Sequence, residues 1–345
     1  MTNLPSSLPP PDLDQSVDSS PTATLHTHTI AVVGDVHDLW DEAEEAILRY
    51  LGVDLVLFVG DFGNESVDVV AAVANLNLPK AVILGNHDAW FTATAWGRGL
   101  RGMRHDDRVQ QQLDLLGATH VGYSKLDFPQ FQLSVVGSRP FSWGGSTWKN
   151  SSFYQQRFGI DSFEASTAKI MAAAEAAALE TVILIGHCGP KGLGDQPEDP
   201  CGKDWNPIGG DYGDPDFRAA IAQTRALGKR IPLVAFGHMH HQLRHTKTRL
   251  RQMVQVDAHG TVYLNAASVP RIVKTPTGQS HNFSLVTLTD GVVTEAALVW
   301  VQADLKIASR ETLYRHQPAS ADHSLQPNNN ARANLGQSCG QRLQS

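Results

Sequence analysis

Short, continuously apolar runs along the chain alternate with longer stretches whose apolar residues fall at helical spacing. Thr29–Gly34, Leu55–Val59 and Ala81–Leu84 are the first three such runs, and Leu39–Leu51 and Val67–Leu76 lie between them. In Leu39–Leu51 the residues Leu39, Ala43, Ala46, Ile47 and Tyr50 share one helical face. Acidic residues come early in that segment, where the positive end of a helix dipole favours them. Pro79 ends the connection after Val67–Leu76. The order is β-α-β-α-β. Strands with no polar face must be covered on both sides, which predicts a parallel sheet flanked by helices.

Further on, Val109–Leu116, Ser162–Leu179 and Asp216–Leu227 predict helices, and Thr119–Gly122, Leu133–Gly137, Thr181–Ile185 and Leu233–Phe236 predict strands. After Phe236 the pattern changes: Gln252–Val256, Val262–Leu264, Phe283–Thr287 and Val292–Val301 read as strands with no helix between them. No internal repeat of fixed period is present. Residues 1–27 are rich in Ser, Pro, Thr and Asp without apolar periodicity, and read as a disordered arm. They contain no basic n-region and apolar h-region of the secretory kind. Their three Asp, with no Lys or Arg, also argue against a plastid-type transit peptide. Residues 315–345 are Asn-, Gln- and Ser-rich and read as a disordered tail.

The ends of the apolar runs carry the chemistry. Five times a run closes on Gly followed by a polar donor. These stops are Val33-Gly34-Asp35-Val36-His37, Val59-Gly60-Asp61-Phe62-Gly63, Leu84-Gly85-Asn86-His87-Asp88, Ile185-Gly186-His187-Cys188 and Phe236-Gly237-His238-Met239-His240. Alone, each is weak: an Asp after a strand caps the next helix often enough, and Gly there is ordinary turn chemistry. In open α/β sheets, however, ligands gather at the carboxyl ends of parallel strands. All five stops fall at such ends and would meet in one crevice.

Composition narrows the field. Of 345 residues, 41% are hydrophobic and 18% charged, ordinary values that leave ample material for a core. A net charge of −7 gives no general attraction to nucleic acid or anionic membrane. No apolar run approaches the roughly 20 residues of a membrane-spanning helix. Three cysteines, Cys188, Cys201 and Cys339, are too few and too scattered for a disulfide framework, which favours a reducing, cytoplasmic setting. Asp35, His37, Asp61, Asn86, His187, His238 and His240 are O and N donors suited to divalent first-row metals. Seven donors exceed one four-ligand site. With one carboxylate shared, they fill two sites and leave room for water and substrate. Such a pair activates a shared water and clamps the oxygens of an in-line phosphoryl displacement.

Taken in order, Asp-x-His, Gly-Asp, Gly-Asn-His-Asp, Gly-His and Gly-His-x-His resemble the calcineurin-like metallophosphoesterase superfamily over about residues 28–303. Leu264-Asn265-Ala266-Ala267-Ser268-Val269 is similar to that family's Asn-Pro-Gly-Ser stretch, with Ala in place of Pro and Gly. The resemblance implies one α/β domain of two packed mixed β-sheets flanked by helices, a four-layer αββα sandwich. It implies Asp35, His37 and His240 on one metal, Asn86, His187 and His238 on the other, and Asp61 bridging them. His87 would be catalytic and unmetallated, serving the leaving group or the transferring phosphoryl group. The cofactors implied are two divalent or mixed-valence ions of the Mn, Fe and Zn kind. A metal-bridging hydroxide would attack a phosphomonoester or small phosphodiester.

The phosphoprotein Ser/Thr phosphatase branch has Gly-Asp-x-x-Asp-Arg-Gly and Gly-Asn-His-Glu. Here Asn64 and Glu65 follow the Gly-Asp motif, and Asp88 ends the other. The partner that orients His87 is therefore open among Asn64, Glu65 and Asp88. Gly186-His187-Cys188-Gly189-Pro190 and the long loop after it resemble a poorly characterised branch found in photosynthetic organisms. Two rival readings stand beside a phosphoesterase acting on a small substrate. One is a nuclease of the same superfamily, which would want a basic groove. The other is a catalytically silent interaction module, which would be expected to have lost ligands. Arg139 and Arg271 are candidate phosphate-binding residues, each equally readable as an ordinary charged side chain. Loop 189–215 reads as a lid over the site or as a solvated surface loop. The aromatics of 138–160 read as core or as a wall of the substrate pocket.

Overall fold

The computed structural model describes residues 25–100, 106–276 and 278–317. The arm expected over 1–27 and the tail over 315–345 fall almost wholly outside them. The strands are β1 (Thr27–Val33), β2 (Leu55–Phe58), β3 (Lys80–Val82), β4 (Lys125–Phe128), β5 (Leu133–Gly137), β6 (Thr181–Ile185), β7 (Leu233–Phe236), β8 (Val254–Val256), β9 (Val262–Asn265), β10 (Ile272–Thr275), β11 (Gly278–Thr289), β12 (Val292–Gln302) and β13 (Ile307–Arg315). They form two mixed sheets. The first has the order β13-β12-β11-β1-β2-β3, with β10 also paired to β11, and the second has the order β4-β5-β6-β7-β9-β8. Strands β1, β2 and β3 are mutually parallel, as are β5, β6, β7 and β9; the remaining pairings are antiparallel.

The period-2 alternation of side chains explains why the central strands are apolar throughout. In β1, Ile30 and Val32 pack between the two sheets, with Leu57, Ile183 and Leu264, while Ala31 and Val33 face an outer helical layer with Ile47, Val70 and Val109. In β6, Ile183 and Ile185 face the first sheet, and Val182 and Leu184 meet the helices Phe163–Ala176 and Pro215–Ala226. The result is four layers: helices, sheet, sheet, helices. The late strands that lack intervening helices divide between the two sheets and do not form a second domain.

Several elements differ from the sequence reading. Thr119–Gly122 is not a strand. It follows a 3-10 turn at Gly117–Thr119 and makes only single bridges, Val82 to His120 and Gly122 to Gly137. The Val121 carbonyl sits 2.1 Å from where a Gly137 Cβ would be, so the segment lies close against the end of β5, bridged to it and to β3 at single points without building a ladder. The edge strand is β4. Two further strands, β10 and β13, carry no apolar run. β13 is an edge strand, largely exposed, and its Arg310 and Arg315 pair with Glu295 on β12. The sheet therefore continues past residue 303 to Arg315. The first helix starts at Ala43, not Leu39. Residues 37–42 form a turn, with the Asp41 carboxylate accepting the Ala43 N–H at 3.0 Å and Arg271 donating to the Leu39 carbonyl at 3.1 Å. Among the described residues, no helix is long and apolar enough to cross a membrane.

Candidate metal centre

The parallel strands deliver their donors to one place. Asp35 and His37 follow β1, Asp61 follows β2, Asn86 follows β3, His187 follows β6, and His238 and His240 follow β7. The turns that aim them are strained. Asp35, His37, Asp61 and His238 all have positive φ, at 51°, 46°, 57° and 68°. For residues with a Cβ this conformation costs roughly 1–3 kcal/mol each. Cross-strand hydrogen bonds hold it: Asp35 N–H to the Gly60 carbonyl at 3.0 Å, His37 N–H to the Asp61 carbonyl at 2.9 Å, and His238 N–H to Asp35 Oδ2 at 2.9 Å. The Gly ahead of a donor now has a reason. A Cβ on Gly85 would lie 2.3 Å from Asp61 Oδ1, and one on Gly237 would lie 2.3 Å from Asp35 Oδ2. Each strand end leaves room for a carboxylate from its neighbour.

Two donor groups result. In the first, His37 Nε2 lies 3.2 Å from His240 Nε2, and His240 Nε2 lies 3.3 Å from Asp35 Oδ1. In the second, His187 Nε2 lies 2.9 Å from Asn86 Oδ1, 3.2 Å from His238 Nδ1 and 3.2 Å from Asp61 Oδ1. Asp61 also belongs with His37 and His87 in a group of donors lying within 4.8 Å of one another. All seven predicted ligands are thus brought together, with Asp61 between the two groups.

The arrangement fits divalent cations. Asp35 Oδ1 is buried and accepts no hydrogen bond, and a buried charged oxygen without a partner is costly. Imidazole nitrogens aimed at one another across 3.2 Å can both be satisfied by a shared cation. His187 Nδ1–H donates to the Val59 carbonyl at 2.8 Å, which fixes the tautomer and points the Nε2 lone pair inward. A fourth cluster, Asp41, Glu44 and His281, is no such centre. The Arg271 guanidinium already occupies both Glu44 oxygens, at 2.5 and 3.2 Å.

Burial alone would raise the Asp61 carboxyl, but the His187 charge holds it below the usual carboxylate range. Burial likewise opposes protonation of His187, yet Asp61 pushes its pKa up to about 9. Burial, followed by the His187 charge, drops His238 to about 3. A metal-bound imidazole must be unprotonated. Cation uptake is therefore expected to release protons, with affinity rising as pH climbs from 6.5 towards about 9 as the His187 proton leaves. Calorimetric titration with Mn²⁺ in two buffers of different ionisation enthalpy measures this. Uptake near pH 7.5 without proton release would contradict it.

The question of what orients His87 has a geometric answer. The His87 Nδ1–H donates to Asn64 Oδ1 at 2.6 Å, which leaves Nε2 facing Asp61 Oδ2 at 3.9 Å. Asp88 is engaged elsewhere: it is buried and accepts the N–H groups of Asp61, Phe62 and Gly85 at 2.9, 2.8 and 2.7 Å. Glu65 is buried and accepts the Thr92 N–H at 2.5 Å. Burial lowers the His87 pKa. Asn64 is a neutral acceptor, so Asn64→Asp would place a negative charge beside the ring and favour its protonated form. The alkaline limb of a kcat/KM–pH profile is then expected to move up by about one unit. No movement would mean that the proton on His87 is not what that limb reports.

Two sequence candidates are corrected. Arg139 is 2% exposed and is held by Asp214 at 2.6 Å and Asp216 at 2.9 Å. Arg271 is 1% exposed and held by Glu44. Both are buried structural ion pairs with no guanidinium left to offer a phosphate. Loop 189–215 is not a free lid. Arg251 donates to the Pro197, Asp199 and Gly202 carbonyls at 2.7–2.8 Å, and Asp214 is fully buried. It forms an anchored wall. The aromatics of 138–160 divide: Phe141 is core, Trp148 packs against the core, and Trp143 stacks on Trp90. The sequence reading also missed Arg244, an exposed guanidinium over the Trp205 ring at 5.3 Å, whose charge reaches His240. Its only signal was a basic residue four places after the last ligand. Asn265 Nδ2 donates to the Met239 carbonyl at 2.7 Å, so the Asn-Ala-Ala-Ser turn steadies the His238–His240 segment.

Residues 28–242 match the family described as calcineurin-like phosphoesterase. No curated protein matches the sequence. Among solved structures, a protein of Thermus thermophilus is 11% identical, over 84% of this chain and 100% of its own, with a TM-score of 0.43. A dimetal phosphatase from Danio rerio is 14% identical over 84% and 99%, with a TM-score of 0.43. The purple acid phosphatase PPD1 from yellow lupin seeds is 14% identical over 83% and 53%, with a TM-score of 0.37.

Proposed function

The chain belongs to the calcineurin-like phosphoesterase family, and from that premise we propose that it hydrolyses a phosphomonoester or small phosphodiester at a dinuclear metal centre. The observation that carries the reading is the pair of donor groups meeting on Asp61, with the orphaned Asp35 Oδ1 among them. Asp35, His37 and His240 would hold one cation, Asn86, His187 and His238 the other, and Asp61 both. When bound, such cations polarise phosphoryl oxygens and make water nucleophilic near neutral pH.

The chain's own groups do the rest. The neutral Asn86 amide donates an oxygen without adding charge, so the centre keeps only two carboxylates, Asp35 and Asp61. His87, fixed by Asn64, directs its Nε2 into the site and delivers a proton to the departing alkoxide. Its backbone N–H, donated to Asp61 Oδ1 at 2.8 Å, ties the main chain that carries that imidazole to the carboxylate. Arg244, beyond His240, is placed to meet a further anionic oxygen of the substrate.

The deciding experiment adds Mn²⁺, Fe²⁺, Zn²⁺, Ni²⁺ or Mg²⁺ back to metal-free protein and assays phosphomonoesters, phosphodiesters and nucleotides. Turnover that needs a metal supports the reading, and none with any metal on any ester sinks it. His87→Ala is expected to lower kcat about 10²–10⁴-fold, the range of a general acid, while metal analysis still finds both ions. Loss of an ion on that substitution would make His87 a ligand instead.

A further inference from the structure

The chain just past the last proposed ligand is tied to the wall 189–215. Arg251 donates to the His240 carbonyl at 3.0 Å and lies 3.4 Å from Asp204 Oδ2. That same oxygen accepts the Arg244 N–H at 2.8 Å, and Asp204 is buried. Asp204 sits in a tight hairpin. The Lys203 N–H donates to the Gly210 carbonyl at 3.0 Å, and the Gly209 N–H to the Lys203 carbonyl at 2.8 Å. The hairpin presents Trp205, which meets Tyr212 edge-on with ring centroids 4.7 Å apart. Two cations share the Trp205 ring: the Arg244 guanidinium lies 5.3 Å and the Lys203 ammonium 5.9 Å from its centroid. Among the described residues neither pairs with a carboxylate, whereas Arg225, Arg230, Arg249 and Arg251 all do. Two like charges held on one indole repel each other, and an anion bound to both relieves that repulsion.

We propose that Arg244 and Lys203 form a second anion subsite, and that the substrate carries a phosphate group there besides the one that is hydrolysed. The inference rests on the phosphoesterase reading above and names its substrate class, a bisphosphate. The hydrolysed phosphate belongs on the cations that the metal donors would hold. Arg244 follows the donor His240 by four residues, is exposed, and its charge reaches that imidazole. It therefore lies beside the centre and outside the donor set. Two positive charges match the double charge of a whole phosphate group better than one oxygen of the group on the metals. Both cations are also held before any substrate arrives. Asp204 fixes the Arg244 main chain, and the Trp205 ring steadies the two cationic heads, which lowers the ordering cost of binding. The whole chain carries −7, so this positive rim selects by its placement and not by a general attraction for anions. The rival accounts are that Arg244 only packs the hairpin onto the segment after His240, or that it serves the hydrolysed phosphate itself.

The test uses metal-loaded, full-length protein and the mono- and bisphosphates of linear diols three to six carbons long. Each pair shares one primary alkoxide and differs only in the distal phosphate. At one or more lengths, wild-type kcat/KM is expected to favour the bisphosphate about tenfold or more after correction for its two equivalent esters, the scale of one hydrogen bond to a charged group. The preference should shrink as salt is added, because Arg244 is exposed. Arg244→Gln combined with Lys203→Gln should bring the ratio close to one, and Arg244→Lys should keep a clear preference. A wild-type ratio near one at every length, or a loss in the double variant shared equally by both members of a pair, would overturn the subsite while leaving the phosphoesterase reading intact. If no ester turns over, that reading fails. Calorimetric binding of the same pairs then still decides this one: equal affinities overturn it, and a bisphosphate preference lost in the double variant supports it.

Discussion

Asp61→Ala is expected to abolish turnover of a chromogenic phosphoester, with a loss of about 10³-fold or more, equivalent to about 4 kcal/mol of transition-state stabilisation. The size follows from how much converges on this carboxylate. Oδ1 lies 3.2 Å from His187 Nε2 and accepts the His87 N–H, while Oδ2 faces His87 Nε2 at 3.9 Å. Removing it would take the proposed shared ligand from both candidate metal positions, and it takes an anchor from His87. Metal analysis is expected to show reduced loading in parallel with the lost activity. Substantial retained turnover would sink the bridging assignment.

Asp88→Asn is the second large effect, and it tests architecture, not chemistry. The carboxylate receives three backbone N–H groups, from Asp61, Phe62 and Gly85. An amide has one acceptor oxygen, so its NH₂ must face at least one of those donors. Hydrogen bonds to a charged group contribute about 1.5–3 kcal/mol each. A destabilisation of about 3 kcal/mol is therefore expected, lowering the melting temperature by about 5–10 °C. Burial and the Asp61 charge push the Asp88 carboxyl up, towards its protonated form, and the Gly85 and Phe62 N–H groups oppose them. A protonated carboxyl would be nearly matched by Asn. An unchanged melting curve would thus show that Asp88 is neutral, and the loss of stability that it is ionised. Because Asp61 and Gly85 frame the metal centre, metal affinity should fall with stability.

The strands and the donor set were the legible part. Apolar runs such as Leu55–Val59 and Thr181–Ile185 have no polar face because each lies inside a four-layer stack, and that is visible without coordinates. The edge strand β13 was not legible for the opposite reason: it is mostly exposed, so nothing in its pattern demands burial. Thr119–Gly122 has strand-like residues but makes only single bridges, to Val82 and to Gly137, a matter of which strand ends lie beside it and not of propensity.

Local pattern also says nothing about partners distant in the chain. Arg139 and Arg271 looked available for a phosphate because Asp214 and Glu44 lie 75 and 227 positions away from them. The acidic loop 189–215 looked like a mobile cover because Arg251, which pins it, is likewise remote in sequence.

By itself, then, the sequence determined a layered α/β chain whose parallel strands end in seven O and N donors, because strand periodicity and donor chemistry are both local properties. Only the tertiary structure decided which group holds His87, that Asp88 binds backbone instead, that two arginines are buried, and that Trp90 stacks on the His87 ring and Trp143 on Trp90. Those outcomes depend on which side chain lies across a gap, and on left-handed turns at Asp35, His37, Asp61 and His238 that only the surrounding hydrogen bonds can hold.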